Sequence, residues 1–324
     1  MISPLSANKK KKNLFGPVSS RRLGFSLGVD IIPYKTCTFD CIYCELGATT
    51  RKTADPVDEI PPEEILEELE QTLAEAPPLL DYITVTGSGE PTLHPRLGEI
   101  IEGIKKRSPV PVALLTNGSL LYQEGVLEAA AQADVVLPSL DAPDEEVYQA
   151  VNRPHPSIPF DRLTEGLIRL GNRPGGRVWL EVLLLKGIND DPLRIARLGD
   201  WIRAIRPEKV QLNTVARPPV DPTAHPLTPE DLQAVRNTLK GCAEIELIVQ
   251  TQKDRSQFRT KALEREALGL LARRPCTEEE IARSLGISHR ETRGLLEQLL
   301  QAGKIIPERF GRQGFYRALS QDVQ

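Results

Sequence analysis

The sequence predicts an α/β fold built on a parallel sheet, followed by a small domain of capped helices and one hairpin. Three observations point there. From about Gly28 to Gln250, aliphatic strand-like runs alternate with helix-like segments, and that alternation makes a parallel sheet covered by helices. Beyond residue 258 the alternation gives way to short helices with explicit start signals. The chain has 324 residues, more than one minimal domain needs.

Taken in order, Gly28–Pro33 reads as the first strand. Pro62–Ala76 is a helix, with Ile65, Leu66, Leu69 and Leu73 at helical spacing. Tyr82–Thr86 is β-branched and bounded by glycine, hence the second strand. Leu97–Arg107 is helical, Val110–Thr116 is the third strand, Leu121–Gln132 is helical and Val135–Leu140 is the fourth strand. Glu145–Asn152 and Asp161–Gly171 are helical. Arg177–Leu185 is the fifth strand, entered through the turn Pro174-Gly175-Gly176. Pro192–Ile205 is a helix and Lys209–Asn213 the sixth strand. A further helix starts at Thr228: threonine caps, Pro229 fits the first helical position, and Asp231 suits the helix dipole. Glu244–Val249 is one more strand-like run. Such a series suits an incomplete barrel or an open doubly wound sheet, and both place ligands at the carboxyl ends of their strands.

In the C-terminal part, Lys261–Ala272 is helical. Thr277 with Glu280 and Ser288 with Glu291 form two capping boxes, opening helices over Thr277–Ser284 and Ser288–Gln301. Gly303–Leu319 alternates around Gly311 and Gly314 as a hairpin does. Three helices and a hairpin resemble a winged helix-turn-helix. The expected organisation is a basic N-terminal segment over 1–27, the α/β domain over 28–252 and the winged helix over 258–324.

A net charge of −4 hides an asymmetry. Residues 1–22 hold six basic side chains and no acidic one; residues 253–324 hold 14 basic and 10 acidic; the middle holds 21 basic and 35 acidic. The middle is a poor surface for a polyanion, and both ends are candidates for one, although a short run such as Lys9–Lys12 is also an ordinary solvated tail. The composition, 40% hydrophobic and 27% charged, excludes a disordered or collagen-like chain. No apolar run approaches the ~20 residues that span a bilayer. Met1–Asn13 has lysines with no apolar stretch behind them, unlike a secretory signal, so a cytoplasmic location is expected.

Of five cysteines, Cys37, Cys41 and Cys44 fall within eight residues, while Cys242 and Cys276 stand alone. An odd, clustered set argues for a metal site over a disulfide framework. The spacing is Cys-x3-Cys-x2-Cys, directly after the first strand. Zinc sites usually draw four ligands from two pairs, and no fourth Cys or His lies close. His94, His155, His225 and His289 are scattered and read as surface or loop residues. Three soft thiolates without a fourth suit a [4Fe–4S] cluster with one iron left open. Cys242 and Cys276 are too few for a second four-cysteine cluster, and Cys276 reads as a small buried thiol.

This spacing, its place after strand one and the α/β domain behind it resemble the radical S-adenosylmethionine (SAM) superfamily, over about residues 14–250. The run Thr86-Gly87-Ser88-Gly89-Glu90-Pro91-Thr92 is similar to that superfamily's Gly-Gly-Glu-Pro motif, with serine at one position. Alone, it is also an ordinary glycine-rich turn between strand and helix. The strand ends Leu115–Gly118, Pro138–Ala142, Leu185–Asp190 and Gln211–Thr214 match in type and place, and each also reads as a set of loop caps. Gly16–Gly28 is similar to an N-terminal signature of a bacterial and archaeal branch of Fe–S oxidoreductases, itself distantly similar to tRNA wyosine-base enzymes. Within it, Arg21 and Arg22 suit either an anionic substrate or a pairing with the acidic domain.

The resemblance implies a partial (βα)6 TIM-like barrel. It implies that Cys37, Cys41 and Cys44 hold three irons of a [4Fe–4S] cluster, and that the fourth takes the amino and carboxylate groups of SAM. Candidate SAM contacts are Tyr43, Gly87, Ser88, Gly89, Glu90, Asn117, Ser139, Asp141, Lys186 and Asn213, with Lys186 opposite the SAM carboxylate. A one-electron reductant of flavodoxin or ferredoxin type would drive cleavage of SAM to methionine and a 5′-deoxyadenosyl radical, which abstracts hydrogen from a substrate. That substrate is expected to be a tRNA or another polyanion, gripped by the winged helix and the basic N-terminus. The alternative is a redox-sensing regulator, in which the cluster is the sensor and Ser288–Gln301, with His289, Arg290 and Arg293, reads nucleic acid. A sensor has no use for the Gly-Ser-Gly-Glu turn.

Overall fold

Strand β1 (Leu14–Ser20) runs antiparallel to β2 (Gly24–Asp30) in the computed structural model, which describes residues 13–20, 22–75, 80–248, 263–264, 266–271, 275–310 and 313–319. Two short strands, β3 (Thr36–Cys37) and β4 (Arg51–Lys52), brace the loop after β2. There follow α1 (Pro62–Glu75), β5 (Tyr82–Thr86), α2 (Leu97–Arg107), β6 (Val112–Thr116), α3 (Glu124–Ala130) and β7 (Val135–Pro138). The series continues with α4 (Glu145–Val151), α5 (Phe160–Gly171), β8 (Trp179–Leu184), α6 (Pro192–Ile205), β9 (Lys209–Thr214), α7 (Pro229–Thr238) and β10 (Glu244–Leu247).

Strands β1-β2-β5-β6-β7 form one sheet and β8-β9-β10 another. Isolated parallel bridges Val136↔Val178 and Ser139↔Glu181 join β7 to β8. From β2 to β10 the parallel strands therefore follow chain order without a reversal. A doubly wound sheet reverses at its switch point, whereas a barrel sheet does not. The fold is mixed α/β, consistent with an incomplete barrel. Ile83, Val85, Val112, Leu114, Val135 and Leu137 on β5 to β7 are buried, as parallel strands covered on both faces require. The helices turn one apolar stripe to them; α5 buries Leu163, Leu167 and Leu170 at i, i+4, i+7. The expected cap at Thr228 forms, as a reciprocal capping box with Asp231 on α7; on α6, Asp191, given no role by sequence, accepts from Leu193 N and Arg194 N.

Two expectations are corrected. The first strand begins at Gly24 and ends at Asp30, not at Gly28 and Pro33, because β1 and β5 both pair with it. Residues 14–20, placed by sequence in a separate basic segment, are a strand of the sheet. Lys9–Lys12 and Arg21 lie outside the described residues. His94, read as a surface or loop residue, lies in the loop before α2 and is buried there, with Nε2 2.8 Å from the Ile60 carbonyl; burial pushes its pKa down.

The chain divides into two compact units, residues 1–249 and 250–324. In the second, residues 266–271 are helical, followed by α8 (Glu278–Leu285), α9 (His289–Gln301) and the antiparallel hairpin β11 (Ile305–Phe310) and β12 (Gln313–Ala318). Both expected capping boxes are formed. Leu271, Cys276, Ile281, Leu295, Leu296, Leu299 and Ile305 make its core. Residues 261–262, 265 and 272 of the expected first helix lie outside the described residues. The basic side chains expected to face a polyanion are partly paired: Arg293 Nε lies 2.9 Å and His289 Nδ1 3.5 Å from Glu278, and Arg317 lies 2.6 Å from Glu308. Among the described residues, no helix is long and apolar enough to cross a membrane.

Candidate active site

The three clustered cysteines occupy the loop after β2, at the carboxyl end of the strand. The chain turns there through Lys35, whose φ of 56° is left-handed. Lys35 N donates to Ser88 O (2.8 Å), and its carbonyl accepts from Thr50 N and Arg51 N. Phe39 is buried and meets the Tyr148 ring edge-on at 5.4 Å. Asp40 Oδ1 accepts from Thr49 N (2.7 Å), and Ile42 N donates to Val151 O (3.0 Å). A loop with almost no regular structure is thus pinned at both flanks and in the middle.

The Gly87-Ser88-Gly89 turn docks directly on this loop. Glu90 N donates to Thr36 O at 3.0 Å. A Cβ at position 89 would stand 1.7 Å from that same oxygen, so only glycine fits. Ser88 donates through both N and Oγ to the Asp30 carboxylate, which ties the turn back to the end of β2.

Each of the three sulfurs has its own N–H donor. Cys37 Sγ receives Phe39 N at 3.4 Å and Asn117 Nδ2 at 3.6 Å. Cys41 Sγ receives Asn152 Nδ2 at 3.6 Å, and Cys44 Sγ receives Lys35 Nζ at 3.2 Å. Burial, with Glu90 adding to it, pushes the Cys37 thiol up to about 12; burial pushes Cys41 well above its usual value. Such thiols ionise when a bound cation takes the charge, and donors aimed at the sulfurs favour that anionic form. Among the described residues, no three metal-ligating side chains converge as they would on a single ion. A cubane cluster instead takes thiolates one per iron, so its ligands stand apart. Three thiols, each met by a hydrogen-bond donor, are the ligand chemistry such a cluster takes.

Cys37 and Cys44 open onto a cleft of about 320 Å³, lined also by Lys35, Tyr43, Gly87, Ser88, Gly89 and Asn213. Arg22 and Glu181, an ion pair, line it too, and Asn213 Nδ2 donates to Glu181 Oε1 at 3.1 Å. Arg22 thus takes the second of its two expected roles, pairing within the acidic domain.

Not every expected contact reaches the cleft. Tyr43 OH donates to Asp141 Oδ2 at 2.5 Å, and the buried Asp141 also accepts from Asn152 Nδ2 and Leu183 N. Burial raises Asp141 to about 6. It knots the cysteine loop to α4 and β8. Ser139 pairs with Glu181 through the bridge between β7 and β8. Asn117 Nδ2 also donates to Thr38 Oγ1 at 2.8 Å. Glu90 is buried among protein donors: Thr92 N, Thr92 Oγ1, Thr116 Oγ1 and Asn117 N all donate to its carboxylate. It holds the loops after β5 and β6 together and offers no side chain to a ligand. Lys186, expected opposite a carboxylate of SAM, instead pairs with Asp231 at 3.0 Å on α7, half exposed. Lys186 does not line the cleft. Lys35 and Asn152 were given no role by sequence; Asn152 is 111 residues from the cysteine it serves, and no local signal marks it.

A family model described as the Radical SAM superfamily matches residues 31–199. The chain is 37% identical over 300 residues to a protein named GTPase Obg from Brachyspira hyodysenteriae, covering 92% of this chain and 44% of that protein; it spans less than half of that relative's length. It is 30% identical over 306 residues to UPF0026 protein MJ1312 from Methanocaldococcus jannaschii, covering 93% of this chain and 94% of that one. Among solved structures, a radical SAM methyltransferase from Sphaerobacter thermophilus aligns with a TM-score of 0.51 at 19% identity, covering 68% of this chain and 66% of that chain. That likeness concerns the fold alone.

Proposed function

The chain belongs to the radical SAM superfamily and groups with the UPF0026 proteins, and on that premise we propose that it is a radical SAM enzyme whose centre is the Cys37–Cys44 loop and the cleft beside it. Members of the superfamily bind a [4Fe–4S] cluster and SAM. When bound, the two supply one-electron reductive cleavage of SAM to methionine and a 5′-deoxyadenosyl radical, given an external one-electron reductant. The observation that carries the proposal is the loop itself: three cysteines at the carboxyl end of a strand, each sulfur with a donor, two of them facing an open cleft.

The chain's own residues supply place and dryness. Cys37, Cys41 and Cys44 would hold the cluster. Gly87, Ser88 and Gly89, with Tyr43 and Asn213, would bound the SAM pocket. Gly89 lets the turn lie against Thr36. Asn117 and Asn152 donate to two of the sulfurs. Asp141 fixes Tyr43 between the second and third cysteines. Leu183, Val215 and Ala216 give the cleft apolar wall, which limits water around a reactive species. We read α8, α9 and the hairpin as a winged helix. With the basic N-terminus it would hold a polyanionic substrate of tRNA type, and the six basic residues within 1–22 support that part.

The test is anaerobic reconstitution with iron and sulfide, addition of dithionite and SAM, and quantification of 5′-deoxyadenosine. Wild-type protein should form it and Cys41→Ala should not. A complete cluster that binds no SAM and releases no deoxyadenosine would overturn the proposal in favour of the redox-sensing regulator.

A further inference from the structure

Lys35 is buried, 3% exposed, in the wall of the cleft. Its Nζ lies 3.2 Å from Cys44 Sγ. An ammonium taken out of water is unfavourable unless a negative charge meets it. The sulfur of Cys44 accepts from this ammonium. The other two cysteines receive neutral donors, the side-chain amides of Asn117 and Asn152. The sulfur of Cys44 is therefore hydrogen-bonded by a charged group, and the sulfurs of Cys37 and Cys41 by neutral ones.

The position is built. Lys35 holds a left-handed φ of 56°, a conformation that side chains other than glycine adopt rarely and at some strain. Its N–H is tied to Ser88 O and its carbonyl accepts from Thr50 N and Arg51 N. The backbone thus fixes where the stem starts, from the turn on one side and from β4 on the other.

We propose that Lys35 is an electrostatic positioning residue of the iron–sulfur site, whose charge, held against the Cys44 sulfur, raises the reduction potential of the cluster bound there. The inference rests on the radical SAM reading. Reduction adds one negative charge to the cluster, and a fixed cation at hydrogen-bond distance stabilises the reduced form more than the oxidised one. Net charge and hydrogen bonds to the sulfurs are among the properties that set such potentials.

Full-length wild type, Lys35→Met, Lys35→Gln and Lys35→Arg are reconstituted anaerobically, and iron and sulfide per chain are measured. Each is then reduced stepwise without SAM, and the reduced fraction is read by electron paramagnetic resonance. The neutral variants should keep the cluster and be about tenfold less reduced at a fixed potential, a shift of about 59 mV for one electron; Lys35→Arg should stay near wild type. Unchanged midpoints in the neutral variants overturn the proposal. Should Met and Gln assemble no cluster while Arg does, the charge is required at assembly, which supports it. Loss of the cluster in Arg as well makes the lysine a shape requirement and overturns it. A wild type that holds a reducible cluster but makes no deoxyadenosine defeats the radical reading alone, and the midpoints still decide Lys35. A wild type that takes up no iron and sulfide overturns both.

Discussion

One absent carbon at position 89 sets how closely the turn after β5 approaches the cysteine loop. Gly89→Ala would force a methyl to within 1.7 Å of Thr36 O. Overpacking of this kind destabilises by roughly 1–3 kcal/mol, so scanning calorimetry should show a lowered midpoint, and reconstituted iron per chain should fall with it. At Gly87 the nearest atom to an added methyl is 3.2 Å away, and Gly87→Ala should lose less on both readouts. Lys186→Ala should leave SAM affinity, measured by equilibrium dialysis, at the wild-type value. Its pair with Asp231 is half exposed, and exposed pairs contribute little. The contrast between Lys186 and Lys35 shows what was legible at this scale. The cysteines were readable because their chemistry is written in a spacing of a few residues. Lys186 pairs with Asp231, 45 residues on, and no local pattern announces that partner. Lys35 stood two residues before Cys37, but nothing local says that its stem is buried.

Helix starts were the most readable elements, because a cap is a local bargain between a side chain and the next turn's N–H groups. Thr228 caps α7 as expected, and Asp231, expected only to suit the helix dipole, closes a reciprocal box with it. Thr228→Ala should therefore lower stability by about 1 kcal/mol in urea unfolding, with no change in cluster content, since α7 carries none of the residues around the cysteines. The parallel strands β5 to β9 were equally plain, as continuous aliphatic runs. Strand β1 was not. Its sequence, LFGPVSS, contains Gly16-Pro17, which reads as a turn. The sheet accommodates it with a break in register between Phe15 and Val18, where an edge strand tolerates both a bulge and a residue without an N–H. Phe15 and Val18 are also among the exposed large apolar side chains, so β1 shows no clean inward face.

At the scale of the molecule, a rigid sheet carries a long irregular loop. Residues 38–50 form no helix or strand, and side-chain ties such as Thr49 Oγ1 to Phe39 O (2.7 Å) hold them. A ligand that binds only the folded loop stabilises it by linkage. Removing iron should therefore speed hydrogen exchange at the amides of residues 38–50 and leave those of β5 and β6 slow; equal exchange with and without iron would contradict this. Strand succession was legible because each β–α unit repeats a local pattern, whereas the choice between a barrel and a doubly wound sheet depended on pairing order, a property no segment holds alone. Among the described residues the open order also leaves two borders, β1 and β10. At one, Pro17 withholds a donor and the register break bends the strand. At the other, a strand of four residues presents the exposed Glu244. A second chain seeking to add itself to either border meets a register break, a missing N–H or an exposed acidic side chain. A closed barrel avoids filament growth by having no borders; this chain avoids it by making both of them poor templates.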